Sequence, residues 1–325
     1  MRLIIYGAGG IGCVIGGHLA RTGHNVLLIG RPGHVKAINA HGLHLVTPAG
    51  TYILQIPAVT GPDQIDYEAD DVVFLCMKGQ DTEVALRDLR AATEDVPVFC
   101  FQNGVRNEEI AAQYFPMVYG VMVRLGAVYL ADGEVIARRD PPGWFVIGCY
   151  PNGTDELVEV VAAKLRTAGF LVKATGDVMP YKWGKLMGNV ANAIGAITSA
   201  RGNDINPIAR AAQQELRDIL TQAGIRWVSG EELAQEWPEI TAPLRGKLDT
   251  KAQSSTWQSL ARKQGTVETE FLNGEVIRLA KKLGHQAPIN EILLRISQEM
   301  AANHEPPGKY TPAQLMVQLG LASSV

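Results

Sequence analysis

The feature that most constrains this chain is its opening run, Met1-Arg-Leu-Ile-Ile-Tyr-Gly-Ala-Gly-Gly-Ile-Gly-Cys-Val-Ile-Gly-Gly17. Leu3, Ile4, Ile5 and Tyr6 are apolar but too few for a helix, and a helical apolar period begins where Gly7, Gly9 and Gly12 supply G-x-G-x-x-G. That order reads as strand, tight turn, helix. Gly7 makes the turn, Gly9 lets backbone amides approach a pyrophosphate, and Gly12 lets the helix pack closely on the strand. The stretch Gly7, Ala8, Gly9, Gly10, Ile11, Gly12 is therefore read as a dinucleotide-binding turn, its phosphates facing a helix N-terminus. A bare glycine pattern also occurs in ordinary βα turns, and the strand-to-helix setting favours the dinucleotide reading.

At 325 residues the chain is longer than one hydrophobic core usually serves, so two domains are expected. A formal net charge of -3 and the lack of any long Lys/Arg block give no field for a polyanion, which argues against nucleic acid. Cys13, Cys76, Cys100 and Cys149 lie far apart, so neither a disulfide framework nor a metal site is expected. No signal-like start and no run of eighteen apolar residues occurs. A soluble cytoplasmic protein with no membrane partner is the expectation.

After the glycine turn, Ile11, Val14, Ile15, Leu19 and Ala20 mark the buried face of a helix that stops at Thr22-Gly23. Val26-Leu-Leu-Ile29 is the second strand, and Arg31 stands nineteen residues past Gly12, where NAD-binding proteins usually place an acid for the ribose 2′-hydroxyl. An arginine suits a 2′-phosphate instead, which argues for NADP over NAD; the alternative is a solvated side chain before Pro32-Gly33. His34 either assists there or caps the next helix. Residues 43–56 alternate around Ala49-Gly50 as a hairpin does. Residues 71–77 read as a buried strand with Lys78 at its carboxyl end, the edge where open parallel sheets bind ligands. The strand at 96–101 ends in Gln102-Asn103-Gly104; Asn103 is either a turn residue or an amide for the nicotinamide end of a cofactor. Strand-like segments at 119–130, 144–148 and 170–173, with a helix over 154–168, complete a doubly wound sheet with antiparallel additions.

From Val178 strand-like runs give way to helical periods, which divides the chain into an α/β Rossmann-like domain, 1–176, and an all-α domain, 177–325. A helix over 182–199 places Lys185, Asn189 and Asn192 on one face and Leu186, Val190 and Ile194 on another, with Lys182 one turn before Lys185. Gly184, Gly188 and Gly195 each cost about 1 kcal/mol of helix propensity, so something is expected to approach the backbone closely. The polar face is either a solvated stripe or a substrate face; amides among apolar neighbours favour the second, because buried amides need partners. Ser254, Ser255 and Thr256 form a hydroxyl cluster, and Glu268 and Glu270 lie near a helix start. The helix dipole accounts for one of these acids but not for which one turns inward.

Taken in order, Gly7-Ala-Gly-Gly-Ile-Gly12, Lys78, Gln102-Asn103-Gly104, Lys185-Leu-Met-Gly-Asn189, Ser254-Ser255 and Glu268-Thr-Glu-Phe-Leu-Asn-Gly274 resemble the ketopantoate reductase family over nearly the whole chain. The resemblance implies NADPH-dependent reduction of 2-dehydropantoate to pantoate, as in pantothenate and coenzyme A biosynthesis. The implied setting is a cleft between the Rossmann domain and a helical domain like that of 6-phosphogluconate dehydrogenase. Lys185 is then the general acid and Glu268 the acid that binds and orients the substrate. Asn189 and Ser255 match substrate-binding positions, and Asn103 with Lys78 matches groups near the nicotinamide. The family often carries an asparagine followed by proline eight positions after its lysine, whereas this chain has Ala193-Ile194 there and Asn192 one residue early. Asn192 is taken as the replacement amide, and Thr256 rivals Ser255. A reductase of another 2-oxo acid and a non-catalytic NADP-binding regulator are the alternative readings. The helical half also has enough apolar surface to form a homodimer.

Overall fold

A computed structural model describes residues 1–250 and 253–321. The chain opens with β1 (Leu3–Tyr6), α1 (Gly10–Arg21), β2 (Val26–Ile29), α2 (Pro32–His41) and the hairpin β3 (Leu43–Thr47) and β4 (Gly50–Leu54). There follow β5 (Ala58–Val59), β6 (Val72–Leu75), α3 (Thr82–Ala92), β7 (Val98–Cys100), α4 (Asn107–Ala111) and β8 (Val118–Leu125). Next come β9 (Ala127–Val128), β10 (Glu134–Ala137), β11 (Arg139–Asp140), β12 (Gly143–Cys149), α5 (Glu156–Thr167) and β13 (Leu171–Ala174). The remainder is α6 (Met179–Asn189), α7 (Asn192–Thr198), α8 (Asn206–Gln222), α9 (Gly230–Glu236), β14 (Gly246–Lys247), α10 (Ser255–Ala261), α11 (Asn273–Lys282), α12 (Pro288–Ala302) and α13 (Pro312–Gln318). None of these helices is long and apolar enough to cross a membrane.

The main sheet has the order β13-β12-β8-β7-β6-β1-β2-β5. It is parallel from β5 through β8, with β12 antiparallel to β8 and β13 parallel to β12. Strands β1 and β6 are buried along almost their whole length, which is why they read as continuous apolar runs. Alternate residues feed opposite faces: Leu3 and Ile5 join a core with Val14, Leu19, Phe74 and Phe99, while Ile4 joins one with Val73, Leu86 and Phe115. A smaller sheet, β4-β3-β10-β9, contains the expected hairpin. The doubly wound α/β expectation holds.

By contacts the chain forms two units, Met1–Lys182 with Ser229–Thr250, and Trp183–Val228 with Lys251–Val325. The first therefore reclaims a segment that a single cut after residue 176 leaves in the second half. In that segment β14 pairs with β11 as a separate two-stranded sheet, and Glu236 accepts from Tyr181 Oη at 2.8 Å and pairs with Lys173 of the edge strand β13 at 2.8 Å. Trp237 meets Trp144 edge-on, with ring centroids 5.7 Å apart.

Among its described residues the second unit is helical throughout. The single helix expected over 182–199 is instead broken after Asn189. The Val190 carbonyl accepts from Asn273 Nδ2 at 3.0 Å, and Ile194 N turns to Ala191 O at 3.1 Å. A side-chain amide inserted into the helical ladder is a sufficient cause of such a break. Asn273 Nδ2 also donates to Asn290 Oδ1 at 2.8 Å, and Asn290 Nδ2 donates to Ala212 O at 3.1 Å and Glu215 Oε2 at 2.7 Å. Glu215 in turn accepts from the amides of Ile289 and Asn290 at 2.8 and 3.0 Å, closing the first turn of α12.

Of the three helical glycines, one has a steric reason. A Cβ on Gly184 would stand 1.9 Å from Val228 O, whereas one on Gly188 would meet nothing within 4 Å and one on Gly195 would make ordinary contact with Gln253 at 3.6 Å. Gly184→Ala should therefore lower the unfolding free energy by about 1–3 kcal/mol or more. Gly188→Ala should leave it unchanged or raise it by up to about 1 kcal/mol. Urea denaturation followed by circular dichroism compares them, and equal midpoints would remove close approach as the reason for Gly184.

Candidate active site

The glycine turn is set by two close approaches. Gly7 has φ +106°, and a Cβ there would lie 2.4 Å from Met77 N; one on Gly12 would lie 2.3 Å from Gly7 O. Only glycine meets both conditions, so α1 begins directly against the ends of β1 and β6. Gly9 is extended at the N-cap, with open space where a side chain would stand. No side chain caps α1 and no acid lies in its first turn, which leaves the positive end of the helix dipole uncompensated by its own residues. Such an end suits an anion.

Register puts four strand ends in one row: Ile29 opposite Tyr6, Tyr6 opposite Leu75, and Leu75 opposite Cys100. Arg31, Gly7, Lys78 and Asn103 therefore leave the sheet at a single edge. Strand β1 lies between β2 and β6, so this edge includes the point where the strand order reverses. Arg31 is exposed and follows Gly30, whose added Cβ would sit 2.9 Å from Ala8 Cβ. Lys78 and Asn103 are half-buried. His34 takes neither expected part. It is buried, its Nδ1 accepts from Gly133 N at 2.9 Å, and its Nε2 faces Cys13 Sγ at 3.3 Å. The accepting Nδ1 assigns the proton to Nε2, and burial lowers the pKa, so a neutral ring ties α2 to α1 and to the turn before β10.

Lys182 lies one turn before Lys185 on α6. It is a buried partner of Glu108 within the first unit, and it also donates to Gln102 O at 3.2 Å and Val121 O at 3.3 Å. Burial raises the Glu108 pKa, and the adjacent Lys182 charge opposes that rise. The sequence Asn107-Glu108-Glu109 resembles a solvated helix start, so nothing local marks Glu108 as buried.

In the second unit Lys185 is half-buried and Asn189 buried on α6, while Asn192 opens α7. Element α10 packs against both α7 and the 3-10 turn Glu268–Phe271. That packing gathers Asn192, Ser255 and Glu268 on touching elements. Ser254 is occupied structurally: its Oγ accepts from Trp257 N at 3.3 Å and donates to Asn192 O at 3.2 Å. Ser255 is half-buried at the first position of α10, whereas Thr256 is fully buried. Glu268 is the acid that turns inward, at 4% exposure, and Glu270 lies outside it, 3.3 Å from Gln298 Nε2. Asn273 was legible only as part of a motif; its work is to hold the carbonyl that follows Asn189.

The family profile described as "Ketopantoate reductase PanE/ApbA" matches residues 3–152, and its C-terminal counterpart matches residues 177–301. A 2-dehydropantoate 2-reductase of Pyrococcus horikoshii is 33% identical over 90% of this chain and 95% of its own. The crystal structure of a PanE/ApbA family ketopantoate reductase from Ralstonia eutropha JMP134 superposes with a TM-score of 0.78 at 30% identity, covering 94% of this chain and 99% of that one. The ternary structure of D-mandelate dehydrogenase with NADH and anilino(oxo)acetate shares the fold, with a TM-score of 0.80 at 21% identity over 94% of this chain and 99% of that one.

Breaking a buried ion pair from one side strands the other charge. Glu108→Gln should therefore cost about 3–5 kcal/mol of stability, and Glu108→Leu combined with Lys182→Met should cost much less. Urea denaturation of Glu108→Leu, of Lys182→Met and of the double completes the cycle. Additive losses would show that the two side chains are not coupled.

Proposed function

The chain belongs to the ketopantoate reductase family, and from that premise we propose that it reduces 2-dehydropantoate to pantoate with NADPH. The observation that carries this reading is the row of strand ends that sets an anion-ready helix start beside Arg31, Lys78 and Asn103. In it, Gly7, Ala8, Gly9, Gly10, Ile11 and Gly12 hold the pyrophosphate, Arg31 the 2′-phosphate, and Lys78 with Asn103 the nicotinamide end. The close approaches at Gly7 and Gly12 and the open space at Gly9 are the shape that such a group requires. When bound, a reduced nicotinamide supplies a hydride to the 2-oxo carbon.

The rest of the chemistry falls to the chain's own side chains. Charge develops on the carbonyl oxygen as the carbon–oxygen π pair moves onto it, and the Lys185 ammonium stabilises that charge. Lys185 then gives its proton to the oxygen, so the ketone becomes a hydroxyl and the amine is left to reprotonate from solvent. Glu268 orients the substrate, and Asn189, Asn192, Asn103 and Ser255 supply hydrogen bonds to its polar groups. Because α6 ends at Asn189, Asn192 belongs to a separate helix and Ala193 is buried. This favours, as a second reading, a reductase whose pocket is shaped for a different 2-oxo acid.

Mixing the protein with NADPH and 2-dehydropantoate should deplete the dihydronicotinamide absorbance. Lys185→Ala should lower kcat by about 10²–10⁴-fold while cofactor affinity is nearly unchanged. A larger kcat/KM for another 2-oxo acid in a panel would select the second reading, and nicotinamide binding without turnover of any would point to a regulator. Arg31→Ala should reduce the preference for NADPH over NADH. Equal efficiency with both cofactors in the unaltered protein would remove the role given to Arg31.

A further inference from the structure

Behind Lys78 and Asn103 lies a chain of polar side chains with no direct access to solvent. Thr82 and Asn107 are fully buried at the starts of α3 and α4, and Gln102 is 2% exposed. Gln102 Nε2 donates to Met77 O at 3.1 Å and to Thr82 Oγ1 at 2.7 Å. The Thr82 hydroxyl donates to Asn107 Oδ1 at 2.9 Å, and Asn107 Nδ2 donates to Asn103 O at 2.8 Å. One end of the relay grips the carbonyl preceding Lys78, and the other grips the carbonyl of Asn103 itself. The same segment is held from a third side, since Gln102 O accepts from Lys182 Nζ at 3.2 Å.

An apolar core at these positions would avoid the risk of leaving a buried donor or acceptor unpaired. What the polar relay adds is a fixed distance between two loops that follow neighbouring strands, β6 and β7. We infer that Thr82, Gln102 and Asn107 are positioning residues that set the separation of Lys78 and Asn103, and thereby the affinity for the nicotinamide half of the cofactor. The inference rests on the proposed assignment of those two residues to the nicotinamide end. It does not depend on which 2-oxo acid is reduced.

Thr82→Val keeps the side-chain shape, removes the hydroxyl, and leaves Gln102 Nε2 and Asn107 Oδ1 each short of a partner. Binding is measured by NADPH fluorescence and, in competition, with 2′-phospho-ADP-ribose, which lacks the nicotinamide. Thr82→Val should weaken NADPH about tenfold and leave the fragment within about twofold, and Thr82→Ser should restore NADPH binding. Gln102→Met, which keeps the length but loses both donors, should give the same pattern and serves if the valine variant does not fold. Equal weakening of both ligands, or of neither, overturns the relay while leaving the cofactor assignment intact. An unaltered protein that binds no NADPH overturns the assignment and the relay together.

Discussion

The contact on which the first unit depends is the approach of α1 to the ends of β1 and β6, where 2.3 Å separates Gly7 O from the place a Gly12 side chain would begin. Side chains at Gly7 and Gly12 would force the helix away from the strands. The helix start would then no longer share an edge with Arg31, Lys78 and Asn103. The suitability of that edge for an anion is thus a steric consequence as much as an electrostatic one: missing Cβ atoms place a dipole that the sequence leaves uncapped.

Each unit also carries a polar network inside an otherwise apolar core. In the first, Thr82, Gln102 and Asn107 link the loops after β6 and β7, and Glu108 with Lys182 fastens the first turn of α6 to the same region. In the second, Asn273, Asn290 and Glu215 draw the Val190 carbonyl out of the helical ladder. Such networks add little net stability, because protein–water hydrogen bonds are lost to form them. Their effect is geometric: each lies directly behind residues assigned to binding or catalysis and permits one backbone path there.

Legibility in the sequence followed the range of the forces involved. The strand–turn–helix opening, the buried strands and the hairpin at β3–β4 depend on neighbours a few residues away, and each was readable. The break after Asn189 was not, because its cause is Asn273, 83 residues downstream of the Val190 carbonyl it holds. Nor was the burial of Glu108, whose partner is 74 residues away, or the inward turn of His34, which answers to Cys13 and Gly133. Gly184, Gly188 and Gly195 look alike in sequence, and only the course of the chain at Val228 separates the first from the others.

The sequence by itself therefore determined the α/β character of the first half, the helical character of the second, and the residue types open to a hydride-transfer reaction. Those follow from local periodicity and from side-chain chemistry, which travel with the chain. Tertiary structure alone decided which of two glutamates is buried, which serine is consumed as a helix cap, where α6 stops, and that Ser229–Thr250 belongs with the first unit. Each of those outcomes is a competition for a hydrogen-bond partner or for a buried position, and the competitors are brought together only by folding.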